Sequence, residues 1–355
     1  MVNGRPSRFK DLNKAPALPN LLSSSQRFAT PTRILTMAQY VHLSIRDPEV
    51  PDIPSLAVTR ETMNFKGRLP AESTYKVEDH PVAVDGAEIT IRAIIPTPTS
   101  DEGTDFEFPL MFFIHGGGWC VGDLSFDDFD LRILSVNCRV VVVSVDYRLA
   151  PEHPFPIPVE DSYTAMKWTV DNAHSLHASP YKGFLTCGVS AGGNLAAVVT
   201  QRSVTDPFFA KHKITGSILQ IPVIINPRAP PAAYASELLS YEQNANAPIL
   251  TRAAMEVFAD CYAAPPTSPD FSPLLGDLTR LPPTQIGICG LDPLRDEGLL
   301  YERLLRENGV TTRLHVYPGV PHGFPSMFPF TKMGRKWEVD WHDGVKWLLQ
   351  FGRAK

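Results

Sequence analysis

The chain contains no apolar run approaching the ~20 residues that a membrane-spanning helix needs, so stable insertion into a membrane is not expected. It also has no basic stripe with interleaved aromatic residues. Since its net charge is −5, nucleic acid is not an expected partner either. Charged residues make up 20% and hydrophobic residues 43% of the 355 positions, which is typical of a globular protein with a large core. These limits favour a small molecule as the partner.

Cysteine is scarce, and its spacing excludes two kinds of site. The five cysteines are odd in number and widely scattered, and no two form a C-x-x-C pair. The pattern therefore indicates neither a disulfide framework nor a zinc site, but reduced, mostly buried thiols of an intracellular protein. No other His/Cys/Asp cluster has ligand spacing, and no glycine-rich phosphate loop follows the first strand, so we expect no metal and no cofactor. The cysteines are Cys120, Cys138, Cys187, Cys261 and Cys289.

The first 36 residues differ in composition from the rest. They contain six basic residues against one acid, Asp11, together with Ser23–Ser25 and four prolines. This composition occurs in organelle transit peptides, but a disordered tail or an extension upstream of a start at Met37 is the favoured interpretation. We interpret residues 1–36 as a basic, disordered extension. No secretory apolar core or peroxisomal signal is present, so a cytoplasmic location is predicted, with organelle targeting as the alternative.

From about Tyr75 onward, short apolar runs alternate with segments of helical periodicity. This alternation predicts an α/β fold, with a mostly parallel sheet flanked by helices, in a single domain over residues 37–355. Strands are predicted at Glu88–Ile95, Leu110–Ile114, Val140–Val145, Phe184–Cys187, Gly216–Ile221, Gln285–Cys289 and Arg313–Tyr317. Helices are predicted after Ser190, at Val159–Asn172 and Leu294–Glu307, and along a core-facing stripe of Trp337, Trp341, Val345 and Leu348.

Two segments interrupt this alternation. Residues 37–75 precede the sheet, and residues 224–275 are rich in proline, alanine and serine. A loose excursion of that length inside an α/β domain is more often functional than a plain connection. We interpret both segments as a cap over a substrate pocket.

The run Gly188-Val189-Ser190-Ala191-Gly192-Gly193 fits the pattern G-x-S-x-G. Because it stands between a strand-like and a helix-like segment, it predicts a nucleophile elbow, a turn so tight that only small residues fit beside the serine. The turn places the serine oxygen at a helix N-terminus, where amides and the helix dipole stabilise negative charge. Ser190 is predicted to be the nucleophile, and the amide of Ala191 to be one oxyanion donor.

A second glycine-rich run offers further oxyanion donors. His115-Gly116-Gly117-Gly118-Trp119 follows the predicted strand Leu110–Ile114. Glycines let the backbone approach a substrate carbonyl closely and direct amides at it, so Gly116 and Gly117 are assigned to the oxyanion hole. His115 lies upstream of the serine, which is the wrong side for the base in the hydrolase order Ser…Asp…His, and is predicted to shape this loop.

A serine hydroxyl is a poor nucleophile at neutral pH and needs a base, which in this order is a histidine late in the chain. His322 is the predicted base because it follows the predicted strand that ends at Tyr317. His315 lies within that strand and His342 lies on the final helix, so both are weaker candidates.

The base in turn needs a carboxylate that orients it. Asp292 follows the predicted strand Gln285–Cys289, at the strand end where α/β folds place ligands, and is the predicted acid. Asp296 lies one helical turn further along and is expected to cap or charge the first turn of the next helix.

Five motifs in this order resemble the hormone-sensitive lipase family of carboxylesterases. They are HGGGW from residue 115, DYRLAPEHPFP from 146, GVSAGGN from 188, DPLRDEG from 292 and HGF from 322, and the resemblance extends from about residue 75 to the C-terminus. It implies an α/β-hydrolase core with a helical cap, and hydrolysis of acyl esters without a cofactor. The family's triad maps onto Ser190, Asp292 and His322, and its oxyanion glycines onto Gly116 and Gly117. In the family the DYRLAPEHPFP run supports the architecture beneath the site, which makes its charges structural; they are Asp146, Arg148 and Glu152.

The chain departs from the family at one position, since many members carry an acid directly before the nucleophile where this chain has Val189. That variant looks more like fungal members, some of which deacylate intermediates of secondary metabolism. The prediction is a serine carboxylesterase that cleaves short to medium acyl esters, or acetyl esters, of small molecules through an acyl-enzyme. The alternatives are a non-catalytic small-molecule receptor on the same fold, as the plant gibberellin receptors are, and an amide or lactam hydrolase. Formation of a homodimer stays open.

Overall fold

The computed structural model describes residues 68–103 and 105–352. The predictions for the extension 1–36, and for most of the segment 37–75, lie outside the described residues. Within the described ranges, no helix is both long enough and apolar enough to cross a bilayer.

Eight strands of the described chain form one sheet in the order β1-β2-β4-β3-β5-β6-β7-β8. β2 pairs antiparallel with β1 and with β4, and every later pair of neighbours is parallel. The prediction of a mostly parallel sheet is therefore confirmed. The strands are β1 Tyr75–Val84, β2 Ala87–Pro96, β3 Leu110–Ile114, β4 Val141–Asp146, β5 Phe184–Val189, β6 Gly216–Gln220, β7 Thr284–Leu291 and β8 Thr312–Pro321.

β1 is the strand that the sequence analysis misses. It lies at the edge of the sheet and pairs only with β2. Only Tyr75 and Val82 are buried in it, and it contains Pro81. An edge strand tolerates a proline and can expose most of its side chains, so it lacks the apolar pattern by which the other strands were predicted.

Helices pack on both faces of the sheet because successive side chains of its strands point in opposite directions. In β3, Leu110, Phe112 and Ile114 belong to the core cluster on one face, whereas Met111 and Phe113 belong to the cluster on the other. Helices α2, α3 and α6 pack on the first face, and α1 and α8 on the second. The helices are α1 Asp128–Cys138, α2 Ile157–Asp171, α3 Ala191–Ser203, α4 Ser240–Gln243, α5 Arg252–Tyr262, α6 Arg295–Glu307, α7 Phe324–Met327 and α8 Lys332–Gly352.

Residues 224–275 connect β6 to β7 and contain α4 and α5. Helix α5 begins after Thr251, whose hydroxyl accepts a hydrogen bond from the Ala254 N–H at 3.1 Å and thereby caps the helix. Its Met255 and Tyr262 are buried in the core cluster shared with α2 and α3. This part of the segment is therefore packed on the sheet domain by its own apolar side chains.

The topology brings the predicted catalytic residues to one edge of the sheet. Ser190 directly follows β5, Asp292 directly follows β7 and His322 directly follows β8. Since these strands are parallel, their carboxyl ends lie together, where α/β folds place ligands.

Candidate active site

Ser190, His322 and Asp292 form one continuous chain of hydrogen bonds. The Ser190 Oγ lies 2.8 Å from Nε2 of His322, and Nδ1 of His322 lies 2.7 Å from Oδ2 of Asp292. Asp292 is 1% exposed and His322 is 6% exposed, so water competes little for these bonds. In the neutral imidazole, Nδ1–H donates to the carboxylate, which leaves Nε2 free to accept the serine proton.

The two weaker histidine candidates lie elsewhere. Nδ1 of His315 is 3.2 Å from the carboxylate of Asp340 on α8. His342 also lies on α8, where burial lowers its pKa. Neither has a hydrogen bond to Ser190 in the described part of the chain.

The turn at Ser190 is tight in the way that its glycines predict. The backbone of Ser190 has φ of +57°, a strained conformation for a residue with a side chain, and its N–H donates to the Gln220 carbonyl at 2.8 Å. A Cβ on Gly188 would lie 2.1 Å from the Gly192 carbonyl oxygen, and one on Gly192 would lie 2.1 Å from that of Ile114. No side chain fits at either position, so the strand and the helix can meet only through glycine.

The glycine-rich loop after β3 lies directly against this turn. A Cβ on Gly116 would lie 3.4 Å from Cβ of Ser190, and Ala191 begins the helix that follows the serine. Gly117 has φ of +115°, and its carbonyl accepts the N–H of Val121 at 3.1 Å in a tight turn. Of the three predicted oxyanion donors, Gly116 thus lies against Ser190, Gly117 is the neighbour of Gly116, and Ala191 follows Ser190 in sequence.

The charged side chains of the DYRLAPEHPFP run form no hydrogen bond with Ser190, His322 or Asp292. The guanidinium of Arg148 forms two parallel bonds to the buried carboxylate of Asp161, at 2.7 and 2.8 Å. Burial raises the pKa of Asp146, and Glu152 is exposed to solvent. A bidentate Arg–carboxylate pair fixes backbone geometry, in keeping with the predicted structural role.

Asn194 makes two contacts that the sequence did not predict. Its side-chain amide donates to the carbonyls of Val223 at 2.8 Å and Phe271 at 2.7 Å, one near each end of the segment 224–275. Asn194 belongs to the first turn of α3, so the helix that starts at Ser190 is tied to both ends of this segment.

The first turn of α6 carries three buried ionisable side chains, of which sequence reasoning interpreted only Asp296. Rather than capping its own helix, Oδ2 of Asp296 accepts the N–H groups of Leu239 at 2.8 Å and Ser240 at 2.7 Å, at the start of α4. Glu297 accepts the Ile224 N–H at 2.6 Å, and burial raises its pKa to about 8. One signal was available in the sequence: Arg295 begins a helix, where the dipole disfavours a cation, and this indicates a specific acidic partner.

A cleft is lined by sequence neighbours of Ser190 and His322, but by none of the three hydrogen-bonded residues themselves. Its walls include Val189, which precedes Ser190, and Gly323, which follows His322, together with Ile221, Trp337 and Trp341. It contains about 580 Å³ of empty space, part of which is open to solvent. Over residues 68–103 and 105–352, no three His, Cys, Asp or Glu side chains come together in a way that could hold a metal ion.

Comparison with known proteins gives consistent matches. The family described as alpha/beta hydrolase fold matches residues 111–326. The versiconal hemiacetal acetate esterase of Dothistroma septosporum is 36% identical over 68% of this chain and 74% of its own length. A carboxylesterase of Mycobacterium tuberculosis is 35% identical over 70% of this chain and 75% of its own. Among solved structures, a vibralactone cyclase superposes with a TM-score of 0.82 at 37% identity, covering 88% of this chain and 97% of that one.

Proposed function

Since the chain belongs to the hormone-sensitive-lipase-like carboxylesterases of the α/β-hydrolase fold, and is a carboxylic ester hydrolase, we propose that Ser190, His322 and Asp292 are its catalytic triad. The observation that carries the proposal is the continuous hydrogen-bonded chain from the serine oxygen to the carboxylate, at 2.8 and 2.7 Å. The oxyanion donors are the amides of Gly116, Gly117 and Ala191.

The proposed mechanism has two stages. Ser190 Oγ attacks the ester carbonyl carbon while Nε2 of His322 takes the hydroxyl proton, and the backbone amides stabilise the resulting oxyanion. His322 then gives that proton to the departing alcohol, which leaves an acyl-enzyme on Ser190. In the second stage His322 takes a proton from water as the water oxygen attacks the acyl carbon. The bond from that carbon to Ser190 Oγ then breaks, His322 returns the proton to Oγ, and the carboxylic acid is released. Asp292 stabilises the imidazolium throughout and stays ionised.

The proposed substrates are esters of small molecules with short to medium acyl groups, including acetyl groups. Two observations support this class. The name of the Dothistroma relative states an acetate ester as its substrate. In addition, segment 224–275 packs on the loop that carries the oxyanion donors: Tyr262 stacks on Trp119 with ring centroids 4.4 Å apart, and Phe258 lies against Gly118. We propose that this segment, with residues 37–75, is a cap that limits the depth of the pocket, and that the enzyme acts in secondary metabolism.

The comparisons do not favour the two alternatives, a receptor without activity or an amide or lactam hydrolase. A different second candidate, intramolecular acyl transfer, is supported by the similarity to a vibralactone cyclase. In intramolecular acyl transfer, a hydroxyl of the substrate would replace water in the attack on the acyl-enzyme, and a lactone would leave. Turnover in ¹⁸O-labelled water distinguishes the two candidates, because hydrolysis places ¹⁸O in the released acid and lactone formation places none in its product.

The experiment that tests the proposal is the Ser190→Ala variant assayed with p-nitrophenyl acetate. Because members of a triad act as a unit, its turnover is expected to fall by about 10⁴ to 10⁶-fold. Circular dichroism and the melting temperature should match the wild type, since only one hydroxyl is removed. Turnover by the folded variant within tenfold of the wild type would remove Ser190 from the mechanism.

A further inference from the structure

The loop that carries Asp292 is held by a residue distant in sequence. Oδ1 of Asp292 accepts the Leu294 N–H at 2.9 Å, within the loop itself. Its backbone carbonyl, in contrast, accepts a hydrogen bond from the side-chain amide of Asn244 at 2.9 Å. Asn244 follows α4 directly and is 5% exposed, so this bond is shielded from water. The segment 224–275 therefore fixes the main chain of Asp292.

The first turn of α4 is bonded to the loop after β7 and to the first turn of α6. Oδ2 of Asp296 accepts the N–H groups of Leu239 and Ser240, which begin the helix. The hydroxyl of Ser240 donates to the Pro293 carbonyl at 2.7 Å and accepts the Asp296 N–H at 3.1 Å. A helix of four residues cannot form unaided, so α4 depends on these contacts.

Arg295 links the end of α4 to Asp296 and to the end of β7. Its Nε lies 2.8 Å from Oδ1 of Asp296, one Nη donates to the Gly290 carbonyl at 3.3 Å, and the other donates to Oε1 of Gln243 at 2.7 Å. Arg295 is 1% exposed and Asp296 is 2% exposed. A buried ion pair is tolerated only where its remaining donors and acceptors have partners, and here α4 and the end of β7 supply them.

We propose that Asn244, with the buried Arg295–Asp296 pair behind it, positions Asp292 against His322, so that the segment between β6 and β7 sets the geometry of the triad. Asn244 is thus a positioning residue that acts through the Asp292 backbone. The proposal rests on the proposed triad. Its physical basis is that the 2.7 Å bond between Asp292 and His322 determines which nitrogen of the imidazole faces the serine. A shift of the Asp292 main chain lengthens that bond and leaves the imidazolium less stabilised.

The test is the Asn244→Ala variant, measured for kcat, KM and the pH dependence of kcat/KM with p-nitrophenyl acetate. Because a shift of the Asp292 main chain misplaces the triad without touching the substrate, we expect kcat to fall about 10 to 100-fold, with KM within twofold of the wild type. The acidic limb of the pH profile should shift to lower pH, because a less stabilised imidazolium loses its proton more easily. Asn246→Ala is the matched control, since Asn246 lies two residues further along the same segment and is exposed. It should leave all three measurements unchanged.

Two outcomes overturn the proposal. One is wild-type kcat in Asn244→Ala. The other is a fall in kcat with an unmoved pH profile, which means a structural role only. If Asn244→Ala does not fold, Ser240→Ala carries the test, because it removes only a hydroxyl and should shift the profile in the same direction. The parallel assay of Ser190→Ala separates the two failures: activity in that variant overturns the triad, whereas an inactive Ser190→Ala beside an unaffected Asn244→Ala overturns only the positioning role.

Discussion

The ring of Tyr147 stacks on the imidazole of His115, with centroids 4.3 Å apart and planes inclined by 13°, and its hydroxyl donates to the His115 carbonyl at 3.0 Å. His115 directly precedes Gly116, and Tyr147 belongs to the DYRLAPEHPFP run. Burial lowers the pKa of His115. The proposed oxyanion loop is thus supported from beneath by a neutral imidazole, a stacked phenol ring and one buried hydrogen bond.

Tyr147→Phe tests this support. The variant keeps the stacked ring but leaves a buried carbonyl without its donor, which costs about 1–3 kcal/mol of unfolding free energy. We expect a lower melting temperature and a lower kcat, because the loop that carries Gly116 and Gly117 is loosened. The control is Tyr163→Phe, which removes a hydrogen bond of 2.8 Å to Asp206 away from this loop. If both variants keep the wild-type kcat, Tyr147 does not act on the oxyanion loop.

Two adjacent glycines at the elbow should respond differently to the same substitution. A Cβ on Gly192 would lie 2.1 Å and 2.4 Å from the backbone oxygens of Ile114 and His115, whereas one on Gly193 would meet nothing closer than Cβ of Pro222 at 3.1 Å. Gly192→Ala should therefore lose activity and folded protein. Gly193→Ala should lose less of both, because its closest contacts, at 3.1 to 3.2 Å, need a shift of only a few tenths of an ångström. Wild-type activity and melting temperature in Gly192→Ala would show that the elbow has room for a side chain.

The stability of the protein should depend on pH through Glu297. Burial raises the pKa of this carboxyl group to about 8 in the folded chain, above its ordinary value of 4.5 in the unfolded chain. The folded state therefore binds the proton more tightly, and this contribution to stability is present at low pH and is lost as the pH rises toward 8. Between pH 5 and 8.5 the loss is on the order of a few kcal/mol.

Glu297→Gln isolates that contribution, because glutamine keeps an oxygen to accept the Ile224 N–H but does not ionise. The melting temperature of the wild type should fall by roughly 5 °C relative to the variant between pH 5 and 8.5. If the melting temperatures of the two proteins change with pH in the same way, Glu297 is ionised at both ends of this range, or at neither.

The proposed cap predicts an optimum in acyl-chain length. Each buried methylene contributes about 0.8 kcal/mol while there is room for it, and the first one without room clashes with the pocket wall. In a series of p-nitrophenyl esters from C2 to C16, kcat/KM should therefore rise, reach a maximum at short to medium chains and then fall. A rate that keeps rising to C16 and jumps on adding an emulsified interface would identify a true lipase.

The sequence predicts the interior of the sheet well because buried parallel strands are continuous apolar runs. β3 is predicted to the residue, and the strands that carry the proposed triad are predicted within a few residues of their ends. Edge strand β1 is missed because eight of its ten residues are exposed or only partly buried, so it has no continuous apolar run. Ser190, Asp292 and His322 were found from local motifs and chain order. The Asn244–Asp292 bond could not be found in this way, since it joins residues 48 positions apart, one of them in a segment without periodicity.

Covalent labelling with a p-nitrophenyl phosphonate ester tests whether Ser190 is the nucleophile activated by His322. The serine oxygen attacks the phosphorus and forms a P–O bond to the phosphonyl group, and the bond to p-nitrophenolate breaks, so each labelled serine releases one nitrophenolate. We predict complete inactivation at one label per chain, with peptide mass mapping placing that label on Ser190 alone. His322→Ala should not be labelled on the same timescale. Labelling of another residue in step with inactivation, or full activity after Ser190 has been modified, would contradict it.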